Sequence, residues 1–267
     1  MANPAGSFIW YELMTGDPDA AKTFYDAVVG WSIAPAPAPN AGGMDYRMIG
    51  RSDGRSAGGV LRISDDMRAD GARPMWAPYL FAPDTDAAVA AIAAEGGKVL
   101  MPATTVDGAG RLAMVADPQG VLIYVMTPAP PPGQSDATSD VFSPAAEQRV
   151  GWNELASPDL AGSKAFYAKH FGFEFNESMN MGPMGDYCFI DHHGQRLGAI
   201  MQRQSEQQPA AWLLYFRVPA LAAAKAAIVA GGGTVLVGPM QVPNGEWILL
   251  AMDPEGAGFG LLSARAE

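Results

Sequence analysis

The chain of 267 residues contains a single cysteine, Cys188, and three histidines. One cysteine excludes an internal disulfide and any zinc site built from several thiolates. Charged residues make up only 17% of the chain, and lysine and arginine form no basic block. Because surfaces that bind nucleic-acid phosphates are normally basic, the formal charge of −11 argues against a nucleic-acid partner.

Long apolar runs and targeting signals are also missing. No run of about 18 apolar residues occurs, so no membrane-spanning helix is expected. Residues 1–6 lack the basic and apolar regions of a signal peptide, which favours a cytoplasmic location. Hydrophobic residues nevertheless form 49% of the chain, enough to bury a sizeable core and to exclude a disordered protein.

The sequence is a tandem duplication. Residues 10–13, Trp-Tyr-Glu-Leu, recur as residues 152–155, Trp-Asn-Glu-Leu, at an offset of 142. A second block, residues 76–120, recurs as residues 212–256 at an offset of 136. Ordered identities on two fixed offsets indicate two copies of one domain.

A proline-rich segment separates the two copies. Four prolines within residues 128–132 favour an extended polyproline II spacer, and the Ser, Thr and Asp residues that follow continue it. We therefore predict a first domain at 5–127, a linker at 128–147 and a second domain at 148–264.

Each copy repeats a smaller unit made of a strand, a helix and three further strands. Residues 8–14 read as a strand, Asp17 caps the following helix with Pro18 at its first position, and Gly30 ends it. The same order restarts at residue 75 and recurs in the second copy. Such units pack a sheet against a helix on one side and leave the other face free to curve into a cleft. The predicted fold class is α+β.

These features resemble the vicinal oxygen chelate superfamily, which includes glyoxalase I, bleomycin-resistance proteins and extradiol dioxygenases. The resemblance is carried by the leading strand, the Asp-capped helix with Phe-Tyr at 24–25 and 166–167, its closing glycine, and Asp-Pro-x-Gly at 117–120 and 253–256. It implies two tandem domains, each built from two βαβββ modules whose curved mixed sheet forms a cleft. The Trp-x-Glu-Leu and Phe-Tyr motifs look most like those of two-domain, glyoxalase-like bacterial proteins.

The resemblance also implies where a divalent metal would bind, through His and Glu ligands on the first, fifth and last strands. The two fifth-strand segments, 76–79 and 212–215, contain no histidine. The first-strand and last-strand positions hold residues that are poor ligands for such metals; they are Trp10, Tyr124, Trp152 and Gly260. We therefore expect no metal and no other cofactor, with a divalent metal recruited by Glu12 or Glu154 together with His192 as the alternative.

Two glutamates are the candidate catalytic residues. Strand alternation places Trp10 and Glu12 on one face of the first strand, and the resemblance implies that this face lines the cleft; the same holds for Trp152 and Glu154. A carboxylate beside an indole should be partly desolvated, which makes it a candidate general base or an acceptor for a ligand hydroxyl or amine. The alternative is a scaffold role, in which each glutamate bonds to the backbone or to a lysine.

Aromatic side chains are the candidate ligand-binding residues, because they suit flat or apolar small molecules. Packing in the core is the alternative for all of them. They are Trp10, Trp76, Tyr79, Tyr124, Trp152, Trp212, Tyr215 and Trp247.

Three functions fit the sequence. The first is a metal-free protein of the glyoxalase and bleomycin-resistance type that binds a small organic molecule, which the acidic charge suggests is cationic or neutral. The second is a divergent lyase, isomerase or hydroxylase-like enzyme with Glu12 or Glu154 as its base. The third is an interaction module with degenerate clefts. The expected partner is a small molecule, with neither nucleic acid nor a membrane, and the chain is expected to be a monomer or a homodimer.

Overall fold

The computed structural model describes residues 3–39, 42–130 and 137–267, so residues 131–136 of the predicted linker lie outside the described part. Four successive modules make up the described chain, and each contains a strand, a helix and three further strands. Among the residues described, no helix has the length and apolar character needed to cross a membrane.

The first repeat provides two of these modules. The first comprises β1 (Phe8–Thr15), α1 (Pro18–Val29), β2 (Ser32–Ile33), β3 (Tyr46–Gly50), β4 (Ser56–Arg62) and the short α2 (Asp65–Ala69). The second comprises β5 (Met75–Phe81), α3 (Thr85–Ala94), β6 (Lys98–Val106), β7 (Gly110–Ala116) and β8 (Leu122–Pro128).

The second repeat provides the other two modules. The third comprises β9 (Val150–Ser157), α4 (Leu160–Phe171), β10 (Ser178–Asn180), a 3-10 turn (Gly182–Met184), β11 (Asp186–His192) and β12 (Gln195–Gln202). The fourth comprises β13 (Ala211–Arg217), α5 (Leu221–Ala230), β14 (Thr234–Gln241), β15 (Trp247–Met252) and β16 (Gly258–Ser263).

Local signals in the sequence set the ends of the first helix in each repeat. The Asp17 carboxylate accepts hydrogen bonds from two backbone N–H groups at the start of α1, each at 3.0 Å. Gly30 ends α1 with φ of 80°, a left-handed conformation that glycine adopts without steric cost. Asp159 and Gly172 cap α4 at the same positions, although the Asp159 carboxylate accepts only one of these bonds, from the Gly162 N–H at 3.0 Å. The predicted caps are therefore confirmed.

The described strands form two mixed sheets of eight strands each, in the order β2-β3-β4-β1-β5-β8-β7-β6 and β10-β11-β12-β9-β13-β16-β15-β14. In every module the first strand pairs in parallel with the last one, while the remaining neighbours within the module are antiparallel. Each sheet ends in two edge strands and does not close into a barrel. This arrangement confirms the α+β class with tandem βαβββ modules.

Contacts divide the chain into two compact units. The first unit is Met1–Ile9, Ala77–Ser139 and Asn153–Trp212, so it holds most of the second and third modules. The second unit is Trp10–Trp76, Asp140–Trp152 and Leu213–Glu267, which holds most of the first and fourth modules. Each unit therefore takes one module from each repeat. The boundaries 5–127, 128–147 and 148–264, which follow the repeats along the sequence, stay a prediction.

Each helix covers one face of the strands in its own module. On β1, for example, Tyr11 and Leu13 lie on the covered face and are 1% and 0% exposed. The residues between them, such as Glu12, point to the opposite face because side chains alternate along a strand. We call this opposite face the open face of a module.

A buried hydrogen-bonded network lies in the core of each unit. In the first unit, the Trp212 indole N–H donates to Tyr167 Oη at 3.1 Å, and Tyr167 Oη donates to Asp117 Oδ2 at 3.1 Å. In the second unit, Trp76, Tyr25 and Asp253 make the same two bonds at 2.9 and 3.0 Å. The Phe-Tyr and Asp-Pro-x-Gly motifs of the sequence therefore supply core contacts in both units.

Polar contacts attach part of the predicted linker to the second unit. The Asp140 carboxylate accepts hydrogen bonds from Arg51 at 2.9 and 3.0 Å and from Arg149 at 3.0 Å. Burial alone would raise the pKa of Asp140, but the hydrogen bonds from Arg149 and Arg51 hold it below the ordinary value. Residues 140–149 are thus anchored by ion pairs rather than forming only an extended spacer.

His192 is buried at the end of a strand. It is the last residue of β11 and only 4% exposed, and its Nε2 lies 2.9 Å from the Ala5 carbonyl oxygen. Burial lowers its pKa below the ordinary value of 6.5. The following residue, His193, lies exposed in the turn.

The lowered pKa of His192 predicts a loss of stability in mild acid. As pH falls below about 6.5, the histidine of the unfolded chain takes up a proton before the buried one does, which favours unfolding by at most about 1.4 kcal/mol per pH unit. We expect the free energy of unfolding of His192→Gln to fall less steeply than that of the wild type between pH 7 and pH 5 in urea titrations. His193→Asn is the control and should keep the wild-type slope. Equal slopes for wild type and His192→Gln would contradict the prediction.

Candidate functional site

On the open face of the first module, two aromatic side chains and a buried glutamate form a hydrogen-bonded cluster. The Trp10 indole N–H on β1 donates to Tyr46 Oη on β3 at 2.8 Å. The Tyr46 hydroxyl also hydrogen-bonds to Glu12, which is 1% exposed. Glu12 lies opposite Gly59 in the sheet, and a Cβ at Gly59 would lie 2.1 Å from Tyr46 Oη. The glycine therefore makes room for the tyrosine ring to reach the glutamate.

The environment of Tyr46 keeps its phenol protonated. Burial raises its pKa well above the ordinary value, and the neighbouring Glu12 raises it further. A protonated phenol can donate to the Glu12 carboxylate while it accepts from Trp10. Only Glu12 is buried in this cluster, whereas Trp10 and Tyr46 are half-buried.

The third module carries the equivalent side chains, with a glutamate that is more accessible than Glu12. Tyr187 Oη on β11 donates to Glu154 Oε2 on β9 at 2.6 Å, and Trp152 lies on the same open face. All three are half-buried rather than buried. The Glu154–Tyr187 pair can therefore be reached from solution, whereas Glu12 cannot.

The two tyrosines were not among the residues proposed from the sequence. The sequence does contain a feature that could identify them: Asp45-Tyr46 recurs as Asp186-Tyr187 at an offset of 141. This offset differs by one residue from that of the first-strand motif, so the match is easily passed over.

On the open face of the second module, Tyr79 and Tyr124 lie opposite each other in the sheet. Their rings stack with centroids 4.1 Å apart and an interplanar angle of 13°. They are 5% and 2% exposed, respectively. Their rings therefore form a buried stacked pair at the position where the family resemblance implies a last-strand metal ligand.

The fourth module differs, because Gly260 occupies the position that corresponds to Tyr124. The Tyr215 ring covers this glycine, and a Cβ at Gly260 would lie 2.3 Å from Tyr215 Cδ1. Tyr215 is 3% exposed. A tyrosine ring thus takes up the space of the missing side chain.

Three of the proposed aromatic residues lie away from the open faces. Trp76 and Trp212 belong to the buried networks with Tyr25 and Tyr167, which corresponds to the core-packing alternative. Trp247 lies on the same face of β15 as Leu249 and Ala251, which are 0% and 1% exposed. Tyr215 lies on the opposite face of this sheet. Five of the eight lie on open faces: Trp10, Tyr79, Tyr124, Trp152 and Tyr215.

The residues at the family's metal positions do not fit a metal ion. The Trp10 nitrogen carries a hydrogen that is donated to Tyr46, so it has no lone pair to offer. Tyr124 is stacked on Tyr79, and Gly260 has no side chain. Within residues 3–39, 42–130 and 137–267, no three His, Cys, Asp or Glu side chains form a group that could hold a metal.

Comparison with known proteins identifies the same superfamily that the sequence motifs resemble. The model of the Glyoxalase/Bleomycin resistance protein/Dioxygenase superfamily matches residues 7–125 and 149–261. The Mycobacterium tuberculosis protein named "Putative glyoxylase CFP32" is 30% identical over 262 residues, which cover 97% of this chain and 95% of that protein. The Anthracycline biosynthesis protein DnrV of Streptomyces peucetius is 28% identical over 277 residues, covering 97% and 94%.

Solved structures show the same fold at lower sequence identity. The 2,3-dioxygenase LapB from Pseudomonas sp. KL28 aligns with a TM-score of 0.63 and 15% identity, covering 97% of this chain and 93% of that one. The Mn(II)-bound glyoxalase from Novosphingobium aromaticivorans aligns with a TM-score of 0.62 and 18% identity, covering 98% and 83%.

Proposed function

Because the chain belongs to the Glyoxalase/Bleomycin resistance protein/Dioxygenase superfamily, we propose that it binds a small organic molecule on the open faces of its modules, without a metal at the family's ligand positions. The observation that carries this proposal is the half-exposed Glu154–Tyr187 pair beside Trp152. An indole and a phenol offer flat surfaces for stacking, and a carboxylate accepts a hydrogen bond from a hydroxyl or an ammonium group.

The ligand that best suits this face is flat, aromatic, and neutral or cationic. The formal charge of −11 disfavours anions, and Glu154 adds a local negative charge. Two relatives are named as anthracycline biosynthesis proteins, which directs the proposal toward polycyclic aromatic molecules. Glu154 then accepts a hydrogen bond from a ring hydroxyl or from an amino group of the ligand.

The experiment is a fluorescence titration with an anthracycline that carries an amino sugar and with its neutral aglycone. We expect the wild type to bind both, and Glu154→Gln to bind the amine-bearing compound at least about tenfold more weakly, because a charge-assisted hydrogen bond is lost. Glu206→Gln, at an exposed loop position, is the control and should keep wild-type affinity.

Three results would contradict the proposal. The first is that neither compound binds the wild type. The second is that Glu154→Gln keeps full affinity for the amine-bearing compound. The third is that EDTA removes binding and a divalent metal restores it, which would show that a metal holds the ligand.

A second candidate function is catalysis with Glu154 as the general base, as in a glyoxalase-type lyase or isomerase. It is favoured by the 2.6 Å bond from Tyr187, which places a phenol proton next to the carboxylate that would take up a substrate proton. Glu12 is the less suitable base because it is 1% exposed. The same Glu154→Gln protein separates the two functions, since an enzyme loses turnover where a binding protein loses only affinity.

A further inference from the structure

The fourth module contains a buried arginine with an unused donor. Arg217 ends β13 on the same open face as Tyr215 and is 8% exposed. Its Nη2 pairs with the Glu246 carboxylate. Its Nε–H is buried and finds no acceptor in the described part of the protein.

The fold does not require an arginine at this position. Phe81 corresponds to Arg217 in the first repeat, at the offset of 136 that relates the second and fourth modules. The two residues have the same backbone surroundings: Phe81 N–H donates to the Ser7 carbonyl at 2.9 Å, and Arg217 N–H donates to the Arg149 carbonyl at 2.9 Å. An apolar side chain is therefore compatible with this place in the module.

Keeping an arginine there has an energetic cost. A buried donor without an acceptor destabilises the folded state by about 1–3 kcal/mol. Glu246 compensates the positive charge of the guanidinium but leaves the Nε–H without an acceptor. Because the charge is already compensated, a neutral oxygen suits the open donor better than a second carboxylate does.

The side chains beside this donor are apolar and largely buried, since Tyr215 and Leu262 are each 3% exposed. Arg217 pairs with Leu262, and Leu262 pairs with Ile248, so one row of the sheet continues from the arginine into aliphatic side chains. The adjacent row begins with Tyr215, whose ring lies over Gly260. A single hydrogen-bond donor among apolar and aromatic side chains is typical of the lining of a small-molecule site.

We propose that Arg217 binds a small molecule through a neutral carbonyl oxygen attached to a flat ring, with the Nε–H as the donor and the Tyr215 face as the apolar support. This inference rests on the proposed function and deepens it, because it names the chemical group that the ligand presents to the fourth module. Glu246 acts as a positioning residue, since it holds the guanidinium through Nη2.

The test uses two probes that differ only in a carbonyl group, 9-fluorenone and fluorene, titrated by tryptophan fluorescence. We expect the wild type to bind fluorenone more tightly than fluorene. Arg217→Phe, which installs the residue found at position 81, should weaken fluorenone binding about tenfold and leave fluorene binding unchanged. Arg73→Phe, which removes an exposed arginine, is the control and should change neither affinity.

Thermal denaturation separates this role from a purely structural one. We expect the Tm of Arg217→Phe to equal or exceed that of the wild type, because a buried donor without an acceptor is removed. Arg217→Lys is the second variant; it keeps a positive charge for Glu246, lacks the Nε–H and should lose the preference for fluorenone.

Two results would overturn the inference, and they are distinguishable. If the wild type binds both probes but Arg217→Phe and Arg217→Lys keep the preference for fluorenone, the assignment of Arg217 is wrong while the proposed function stands. If the wild type binds neither probe, a flat-ring ligand is wrong for this protein, and both proposals fail together.

Discussion

Gly198→Ala is expected to lower the free energy of unfolding by at least about 3 kcal/mol. Gly198 on β12 pairs with Asn153 on β9, and a Cβ at position 198 would lie 1.7 Å from the Asn153 carbonyl oxygen. The clash is with the backbone of a central strand, so no rotation of a side chain can relieve it. Gly58 approaches the Tyr11 carbonyl oxygen in the same way, at 2.2 Å.

The matched control for this substitution is Gly258→Ala. Gly258 also lies in a strand, but a Cβ there would meet its nearest atom, a carbon of Leu213, at 3.7 Å, which is an ordinary contact. Urea denaturation of both variants should show a large loss for Gly198→Ala and a change below about 1 kcal/mol for Gly258→Ala. Similar losses in the two variants would show that the close approach of β12 to β9 is not what requires glycine.

Tyr167→Phe is expected to destabilise the protein by about 2–4 kcal/mol, because it removes one hydroxyl that serves two buried groups. Without it, the Trp212 indole N–H loses its acceptor and the Asp117 carboxylate loses a donor. All three side chains are at most 4% exposed, so water does not readily replace the hydroxyl. The measurement is urea denaturation monitored by circular dichroism.

Tyr187→Phe provides the comparison within the same unit. Tyr187 donates to Glu154 on a half-buried open face, where solvent can take over the lost bond, so we expect a loss below about 1 kcal/mol. Tyr25→Phe should match Tyr167→Phe, because Tyr25 serves Trp76 and Asp253 in the second unit. The prediction fails if Tyr167→Phe is no more destabilising than Tyr187→Phe.

The sequence contains enough information to predict the modules. Asp17 and Gly30 act through the backbone within one turn of the helix ends, and their counterparts Asp159 and Gly172 repeat the signal. Duplication strengthens such local signals because each appears twice in the same order. The order of strands and helices can therefore be predicted from local sequence features alone.

The sequence does not determine which face of the sheet each aromatic side chain occupies. Trp76 and Tyr79 lie three positions apart on β5, so strand alternation places them on opposite faces and both cannot line one surface. Which of the two faces the core depends on a residue far away, since Trp76 is buried against Tyr25. Trp212 and Tyr215 repeat this arrangement on β13.

The partners of the glutamates depend on pairing between distant strands. Tyr46 and Tyr187 reach Glu12 and Glu154 only because β3 and β11 pair with strands that themselves pair with β1 and β9. Arg217 belongs to no recognisable motif. In the sequence it differs only in being an arginine where the first repeat has Phe81. Register and burial, which the sequence does not state, decide these contacts.

The pairing of modules across the repeats has a consequence for synthesis on the ribosome. The first unit draws its last segment from Asn153–Trp212, and the second draws its last from Leu213–Glu267. Translation of the first repeat therefore completes the core of neither unit. Residues 10–76 can pack against their partner module only after residues 213–267 have been synthesised. A nascent chain that stalls after the first repeat would present two unfinished hydrophobic surfaces, which makes it a natural client for chaperones.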